Sequence, residues 1–311
     1  MNNILFCVGA PKTGTSSFVH WLGSHPEVRA SEPKESFFFM DPDHPLAGRH
    51  GLSISRDGAA AFRNFFPTWN AARIELEGTT HTFYQSAARE HFAVMQPLPY
   101  LVFSLREPAA RLLSSFRFTR DNLANCDKAL TFEEYVDCLL VGDLQKLDRF
   151  YRSEASLWIA KRELALGRYV QWIDWWLERL PPERLRLMLF EQMRAEPCAV
   201  VMGLCDWLGV NADWYADYDF SARNATYAVS MQGLHRMIRR LGPLVPRSLI
   251  RDKVKAAYLR WQGRGRAPDQ SYEEGLRRLR AYFAPYNREL AERYGLALQR
   301  WWGEEVLYAD R

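Results

Sequence analysis

Hydrophobic and polar positions alternate along the chain in two patterns. Short continuous apolar runs end at a glycine or an arginine, and longer stretches with apolar residues three and four apart follow them. ILFCV (Ile4–Val8) is apolar throughout and stops at Gly9, the pattern of a strand buried on both faces. Thr15 or Ser16 then opens a helix with Phe18, Val19, Trp21 and Leu22 as its apolar face, and Gly23 to Pro26 end it. RIELEG (Arg73–Gly78) alternates like a strand. YLVFSL (Tyr100–Leu105) is a second continuous apolar strand, and Pro108 starts a helix through LLSSFRF. Residues 153–178 read as a long helix with a break at Gly167. LRLMLF (Leu185–Phe190) predicts a third buried strand after Pro181 and Pro182. A helix through AVVMGLCDWLG closes at Gly209, and YEEGLRRLRAYFAPYNRELAERYG predicts a final helical region interrupted at Pro285. Strands alternating with helices over the full length predict an α/β fold, a central parallel β-sheet flanked by α-helices on both faces. No repeat and no Pro/Gly-rich linker divides the chain, so residues 1–311 are expected to form a single domain.

Composition adds limits. A chain of 311 residues with 48% hydrophobic content can bury a sizeable core, and a formal net charge of +4 gives it no global polyelectrolyte character. One stretch departs from that balance. Residues 235–266 carry ten Lys/Arg against the single acidic Asp252, either as a solvated helix face or as a basic wall for an anionic ligand. The five cysteines are scattered, with no CxxC or Cys/His metal spacing, and Cys7 and Cys205 fall in core patterns. A reducing compartment fits them. The N-terminus MNNILFCVGA has no basic n-region, its apolar run is too short for a signal peptide, and no apolar stretch is long enough to span a membrane. A soluble cytoplasmic protein is expected.

The turn between the first strand and the first helix carries the chemistry. FCVGAPKTGTSSF (Phe6–Phe18) sets Gly9, Gly14 and Ser16 where the phosphate loop G-x-x-x-x-G-K-[ST] has them. Thr15 stands at that motif's lysine position, and the lysine comes three residues early, as Lys12. A strand, a glycine-rich loop and a helix N-terminus place several backbone N–H groups around one anion. Thr13, Thr15 and Ser16 add hydroxyl donors to this P-loop-like element. In an NTPase another strand ends in Asp to hold Mg²⁺. Here YLVFSL leads into Arg106, which binds an anion and not a metal. Ser114, two turns into the helix opened by Pro108, can complete a second phosphate grip with Arg106. A nucleotide with a phosphate at each end of its ribose would fill both sites.

With both motifs in view, the sequence resembles the PAPS-dependent sulfotransferases (PAPS is 3′-phosphoadenosine 5′-phosphosulfate). GAPKTGTSS resembles their 5′-phosphosulfate loop and REPAARLLSS their 3′-phosphate motif R-[DE]-P-x-x-R-x-x-S, at a family-like spacing of about ninety residues. KESFFF (Lys34–Phe39) is similar to the K-E-x-x-F-F segment of the branch that sulfates heparan sulfate and related glycans. LGRYVQWIDWWLERLPPERLRLMLFEQMRAEP resembles the family's G-x-Y…W-L…P…FE-x-[LM]…P stretch. GRGRAP (Gly263–Pro268) resembles a shortened Lys-Gly-Arg phosphate loop, and LRAYFAPYNRELAERYGLALQRW the terminal helix and Trp. The resemblance covers most of the chain. It implies PAPS as co-substrate without a metal, bound by Lys12, Thr13, Gly14, Thr15, Ser16, Arg106, Ser114, Arg264, Gly265 and Arg266. It implies sulfuryl transfer to a hydroxyl or amine of a carbohydrate, lipid or small-metabolite acceptor. One departure stands out. Where the glycan branch continues into Glu-Lys-[ST]-Pro, this chain reads ELEGTTHTF, with Gly78 in place of the second lysine and His81 after it.

The displaced lysine has a use in that reading. Sulfuryl transfer breaks the bond between sulfur and the oxygen bridging to the 5′-phosphate, so there is no γ-phosphate to reach. Lys12, in the middle of the loop, suits the place where charge gathers on the leaving group. The acceptor needs a general base. Glu35, flanked by Lys34 and a phenylalanine run, and His81 are the two candidates beside Lys12 for a catalytic role. Arg111, His20 and His25 read as structural. Two other functions stay open. A P-loop-type nucleotide kinase is disfavoured by Thr15 and by the missing strand-end Asp. A non-catalytic polyanion-binding protein would use the 235–266 stretch, although few aromatics interleave with its arginines. No specific nucleic acid and no membrane span are expected, and neither acceptor nor oligomeric state can be read from the sequence.

Overall fold

Continuous apolar runs can be buried on both faces only inside a parallel sheet, and the computed structural model puts them there. It describes residues 3–66, 72–220 and 272–308. The basic stretch 235–266, with Arg264, Gly265 and Arg266, lies outside the described residues.

The chain begins with β1 (Asn3–Gly9), α1 (Thr15–Gly23), β2 (Val28–Ala30), α2 (Ile54–Asp57), β3 (Ile74–Glu77) and α3 (Ser86–Phe92). It continues through β4 (Tyr100–Leu105), α4 (Pro108–Arg117), α5 (Phe132–Val141), α6 (Glu154–Ala160), α7 (Glu163–Leu166) and α8 (Tyr169–Leu177). β5 (Leu185–Leu189), α9 (Phe190–Ala195), α10 (Pro197–Leu208), α11 (Glu273–Tyr294) and α12 (Leu298–Trp302) follow. The five strands form one parallel sheet in the order β2-β3-β1-β4-β5. On one face Leu5 and Cys7 share a core with Phe18, Trp21 and Leu22 of α1 and Val201, Leu204 and Cys205 of α10. On the other, Phe6 stacks on Phe92 of α3 at 4.0 Å, and Phe92 and Phe103 meet Trp176 of α8. Helices cover both faces, as the alternation of signals predicts.

Some elements differ from the sequence reading. RIELEG forms the strand expected of it; β3 lies between β2 and β1, and both Glu75 and Glu77, to which the sequence reading gave no place, are buried. Their charges are compensated locally, Glu75 by an ion pair with Arg29 and Glu77 by hydrogen bonds from Ser36 and Thr79. β5, expected as a buried strand, is the edge of the sheet, and Arg186 on it is exposed. The helical stretch expected over 153–178 breaks at Gly167 as expected and also at Lys161 and Arg162, so that it forms three helices. Aromatic donors take up the carbonyls at the breaks: Tyr135 Oη donates to Ala160 O, Trp172 Nε1 to Ala165 O and Tyr84 Oη to Leu166 O, each at 2.9 Å. α11 runs through Pro285 without interruption, because burial of Phe283, Ala284 and Leu290 around it offsets a cost of about 3 kcal/mol. β2, only three residues long, had no visible signal.

The described residues fall into two compact units. The first takes residues up to 111, then 165–220 and 280–308, and holds the whole sheet. The second takes 112–164 and 272–279. Its α5 opens with a capping box between Thr131 and Glu134, and Phe116 packs there on Phe132 and Tyr135. All five cysteines are free, and burial pushes the Cys7 thiol up to about 12. Among the described residues no helix is long and apolar enough to cross a membrane.

Candidate active site

In a parallel sheet whose strand order reverses about a central strand, the crevice at the strands' carboxyl ends is where ligands sit. β1 is that strand, and the candidate residues of the first unit follow the ends of β1, β2, β3 and β4. The loop after β1 is held from β4. Ala10 N donates to Ser104 O at 2.7 Å, Ser104 Oγ donates to Thr13 O at 3.0 Å, and Arg106 Nη1 donates to Lys12 O at 3.2 Å. Thr13 is fully buried and its hydroxyl donates to Ala10 O at 2.7 Å, so that side chain shapes the loop from within. Lys12 has φ 70°, a left-handed conformation that costs a residue other than glycine about 1–3 kcal/mol. The bracing bonds on either side hold it there. Gly14, with φ 77°, caps α1 without a side-chain bond, and its carbonyl accepts from Ser17 N and Phe18 N. A Cβ on Gly14 would stand 2.7 Å from the Phe190 ring, so glycine is required for both torsion and space.

Arg106 leaves β4 and lies over the same Phe190 ring, 4.7 Å from its centroid. Tyr169 Oη donates to its carbonyl at 3.0 Å, and Glu107 beside it accepts from Ala109 N and Ala110 N at the start of α4. Burial lowers the Arg106 guanidinium from the ordinary arginine value, and its Nε is buried with no hydrogen-bond partner among the described residues. A partly buried cation in that state is stabilised by an anion brought to it. Ser114 lies further along α4, in the second unit.

The segment after β2 is held from β3. Glu77 accepts from Ser36 N at 2.9 Å and Ser36 Oγ at 2.8 Å, and Phe37 N donates to Thr79 Oγ1 at 3.0 Å. Burial raises Glu77 from the usual carboxylate value while these bonds oppose it. The anchorage brings Lys34 and Glu35 to the loop. Lys34 Nζ lies 3.1 Å from Glu35 Oε1 and 3.3 Å from Thr15 Oγ1, and Thr80 Oγ1 donates to Glu35 Oε1 at 3.3 Å. Beside α1 a pocket of about 490 Å³ opens, lined by Lys34 together with Ser16, His20, Ser24 and Ala30.

His81, the other base candidate, is placed differently. It is buried beside His44, ring centroids 5.4 Å apart, and burial, then His44 and Arg111, hold its imidazole down at about 3. No hydrogen bond ties its ring to the loop among the described residues. The structure thus brings together Lys12, Thr13, Gly14, Thr15, Ser16, Arg106 and Glu35, and keeps His81 in the interior. Lys34, Glu77 and Thr80 were missed as site residues. Lys34 stands in the quoted KESFFF segment and could have been found there, whereas nothing in the local sequence separates Glu77 from a solvated strand carboxylate. His25, expected to be structural, is buried with Nε2 2.9 Å from Asn211 O.

Comparison with known proteins identifies the family and the fold. Residues 3–225 match the family model of the sulfotransferase domain. Over 205 residues, 66% of this chain, it is 27% identical to bifunctional heparan sulfate N-deacetylase/N-sulfotransferase 1 of Caenorhabditis briggsae, of which it spans 22%. Over 290 residues, 93% of the chain, it is 25% identical to heparan sulfate glucosamine 3-O-sulfotransferase 6 of Mus musculus, covering 70% of that protein. The crystal structure of a sulfotransferase from Alicyclobacillus acidocaldarius shares the fold, with TM-score 0.63 at 23% identity over 97% of this chain and 99% of that one.

Proposed function

The chain belongs to the sulfotransferase family, and from that premise we propose that it moves the sulfuryl group of PAPS to a hydroxyl or amine of an acceptor. The observation that carries the donor assignment is the bond from Arg106 to the Lys12 carbonyl, which joins the two anion motifs in one site. The orphan Nε of Arg106 supports a 3′-phosphate there, and the loop Lys12–Ser16 supports the 5′-phosphosulfate. Ser114, Arg264, Gly265 and Arg266 are kept in the donor site on the resemblance alone. The acceptor takes the pocket beside Lys34, whose volume of about 490 Å³ is within the range of small-molecule sites.

In the step itself the acceptor oxygen or nitrogen bonds to sulfur. The bond from sulfur to the bridging oxygen breaks, and its electron pair stays on the 5′-phosphate. The acceptor proton passes to the Glu35 carboxylate, and the Lys12 ammonium faces the charge that grows on the leaving oxygen. Glu35 is preferred to His81 as base because it shares Lys34 with the loop, whereas His81 is buried away from it with its basicity suppressed. Free thiols at all five cysteines support a reducing, cytoplasmic setting.

The test is donor recognition. Arg106→Ala should weaken binding of 3′-phosphoadenosine 5′-phosphate (PAP) by about 2–5 kcal/mol, the loss typical of a desolvated charge pair. Adenosine 5′-monophosphate, which has no 3′-phosphate, should lose far less. Equal losses in calorimetry would take Arg106 out of the 3′-phosphate site.

A further inference from the structure

One side chain joins the base to the phosphosulfate loop and has no role in the step above. Lys34 Nζ touches Glu35 on one side and Thr15 on the other, with its side chain 27% exposed. An ammonium carries three N–H donors. Two go to these neighbours, and the third is available to an anion seated on the loop. Lys34 is also the foremost charge opposing the effect of burial on the Cys7 thiol of β1.

Gly78 makes this reach possible. A Cβ at that position would stand 3.0 Å from Lys34 Cε, 3.4 Å from Lys34 Cγ and 2.9 Å from Val19 Cγ2. Its φ lies outside the left-handed region, so space and not torsion asks for glycine here. The two residues are tied through the backbone as well, Gly78 N donating to Lys34 O at 3.0 Å. The missing side chain on the strand end is therefore filled by a lysine stem arriving from the neighbouring segment.

Resting on the reading of this site as a PAPS site, we propose that Lys34 is a second cation of the transfer centre. It holds Glu35 against the loop and meets a non-bridging oxygen of the sulfuryl group, and Gly78 keeps its path open. Lys12 then serves the oxygen that leaves with the electron pair. Lys34 serves the oxygens that stay on sulfur while the new bond forms and the proton moves to Glu35.

PAP and PAPS, which differ only in the sulfuryl group, distinguish this role from that of a loop brace. Lys34→Met should weaken PAPS about tenfold or more, the worth of a hydrogen bond to a charged group, and PAP by less than about threefold. Lys34→Arg should recover part of the PAPS affinity. Gly78→Ala, which presses on Lys34 Cε, should lower PAPS affinity in the same direction by a smaller factor. PAP binding in the same titrations reports that each variant is folded. Equal losses for the two ligands, or unchanged PAPS affinity in Lys34→Met, overturn the proposal while leaving the donor site intact. If the unsubstituted chain binds neither ligand, the PAPS reading falls and this one with it.

Discussion

At the ends of β1 and β4 the site is made of backbone. Carbonyls of Ala10, Thr13 and Lys12 take hydrogen bonds, three residues (Gly9, Lys12 and Gly14) sit at positive φ, and Thr13 is sealed from solvent. At the ends of β2 and β3 it is made of side chains. Lys34, Glu35 and Thr80 are linked tip to tip, and the Lys34–Glu35 pair stays about a third exposed. In the proposed site the first half would hold a ligand by a shape that the bracing bonds already fix. The second half can be retuned by changing one side chain at a time.

Three experiments try this contrast beyond donor recognition. The largest effect is expected in the side-chain half. Glu35→Gln keeps the shape of the base and removes its basicity, so the transfer rate should fall by about 10²- to 10⁴-fold with PAP binding near normal. The rate needs an acceptor, which a screen with labelled PAPS read by mass spectrometry would supply. A Glu35→Gln enzyme that keeps most of its rate would shift the base elsewhere. In the backbone half, Lys12→Ala leaves the loop's bracing carbonyl in place and removes only the ammonium. It should lower kcat by about 10²- to 10³-fold while raising the Kd for PAPS much less, because the leaving oxygen gains its charge only in the transition state. Normal turnover in that variant would reduce the loop to a phosphate cradle.

The smallest effect is expected at His81, read through stability. Its folded value of about 3 lies below the usual 6.5, so the stability it contributes is full above pH 6.5 and is lost as pH falls toward 3. The slope is at most about 1.4 kcal/mol per pH unit. Urea unfolding across that window should show a shallower fall for His81→Gln than for the unsubstituted chain, with the transfer rate at neutral pH changed by less than about threefold. A His81→Gln protein with the same acid slope but no transfer would reverse both assignments.

The same contrast explains what the sequence made legible. Gly14 and the displaced Lys12 could be read because a tight phosphate loop admits few residue types, and each constraint lies within a few positions. The strands β1 and β4 could be read because burial on both faces leaves an unbroken apolar run. The burial of Glu75 and Glu77 was not legible, because Arg29 and Ser36, which help to compensate them, come from distant positions in the chain. Lys34 stood in view in KESFFF, but its reach to the loop was hidden for a related reason. Its importance depends on the Cβ that Gly78 lacks, a fact about space between two segments. Pro285 stood out as a breaker, yet tertiary burial along α11 overrode it.

The placement of β1 in the middle of the sheet also sets the order in which this site comes into being. Asn3 pairs with Ile74 and Leu5 with Tyr100, and such distant parallel partners are slow to find one another. During synthesis the glycine-rich loop leaves the ribosome early, while Ser104 and Arg106, which brace it, come later. Phe190, which packs against Gly14 and lies under Arg106, comes later still. A nascent chain that stops before Leu185 would carry the loop and its β4 braces, Ser104 and Arg106, but lack the Phe190 ring that packs against Gly14. The loop is thus made before the residues that brace it.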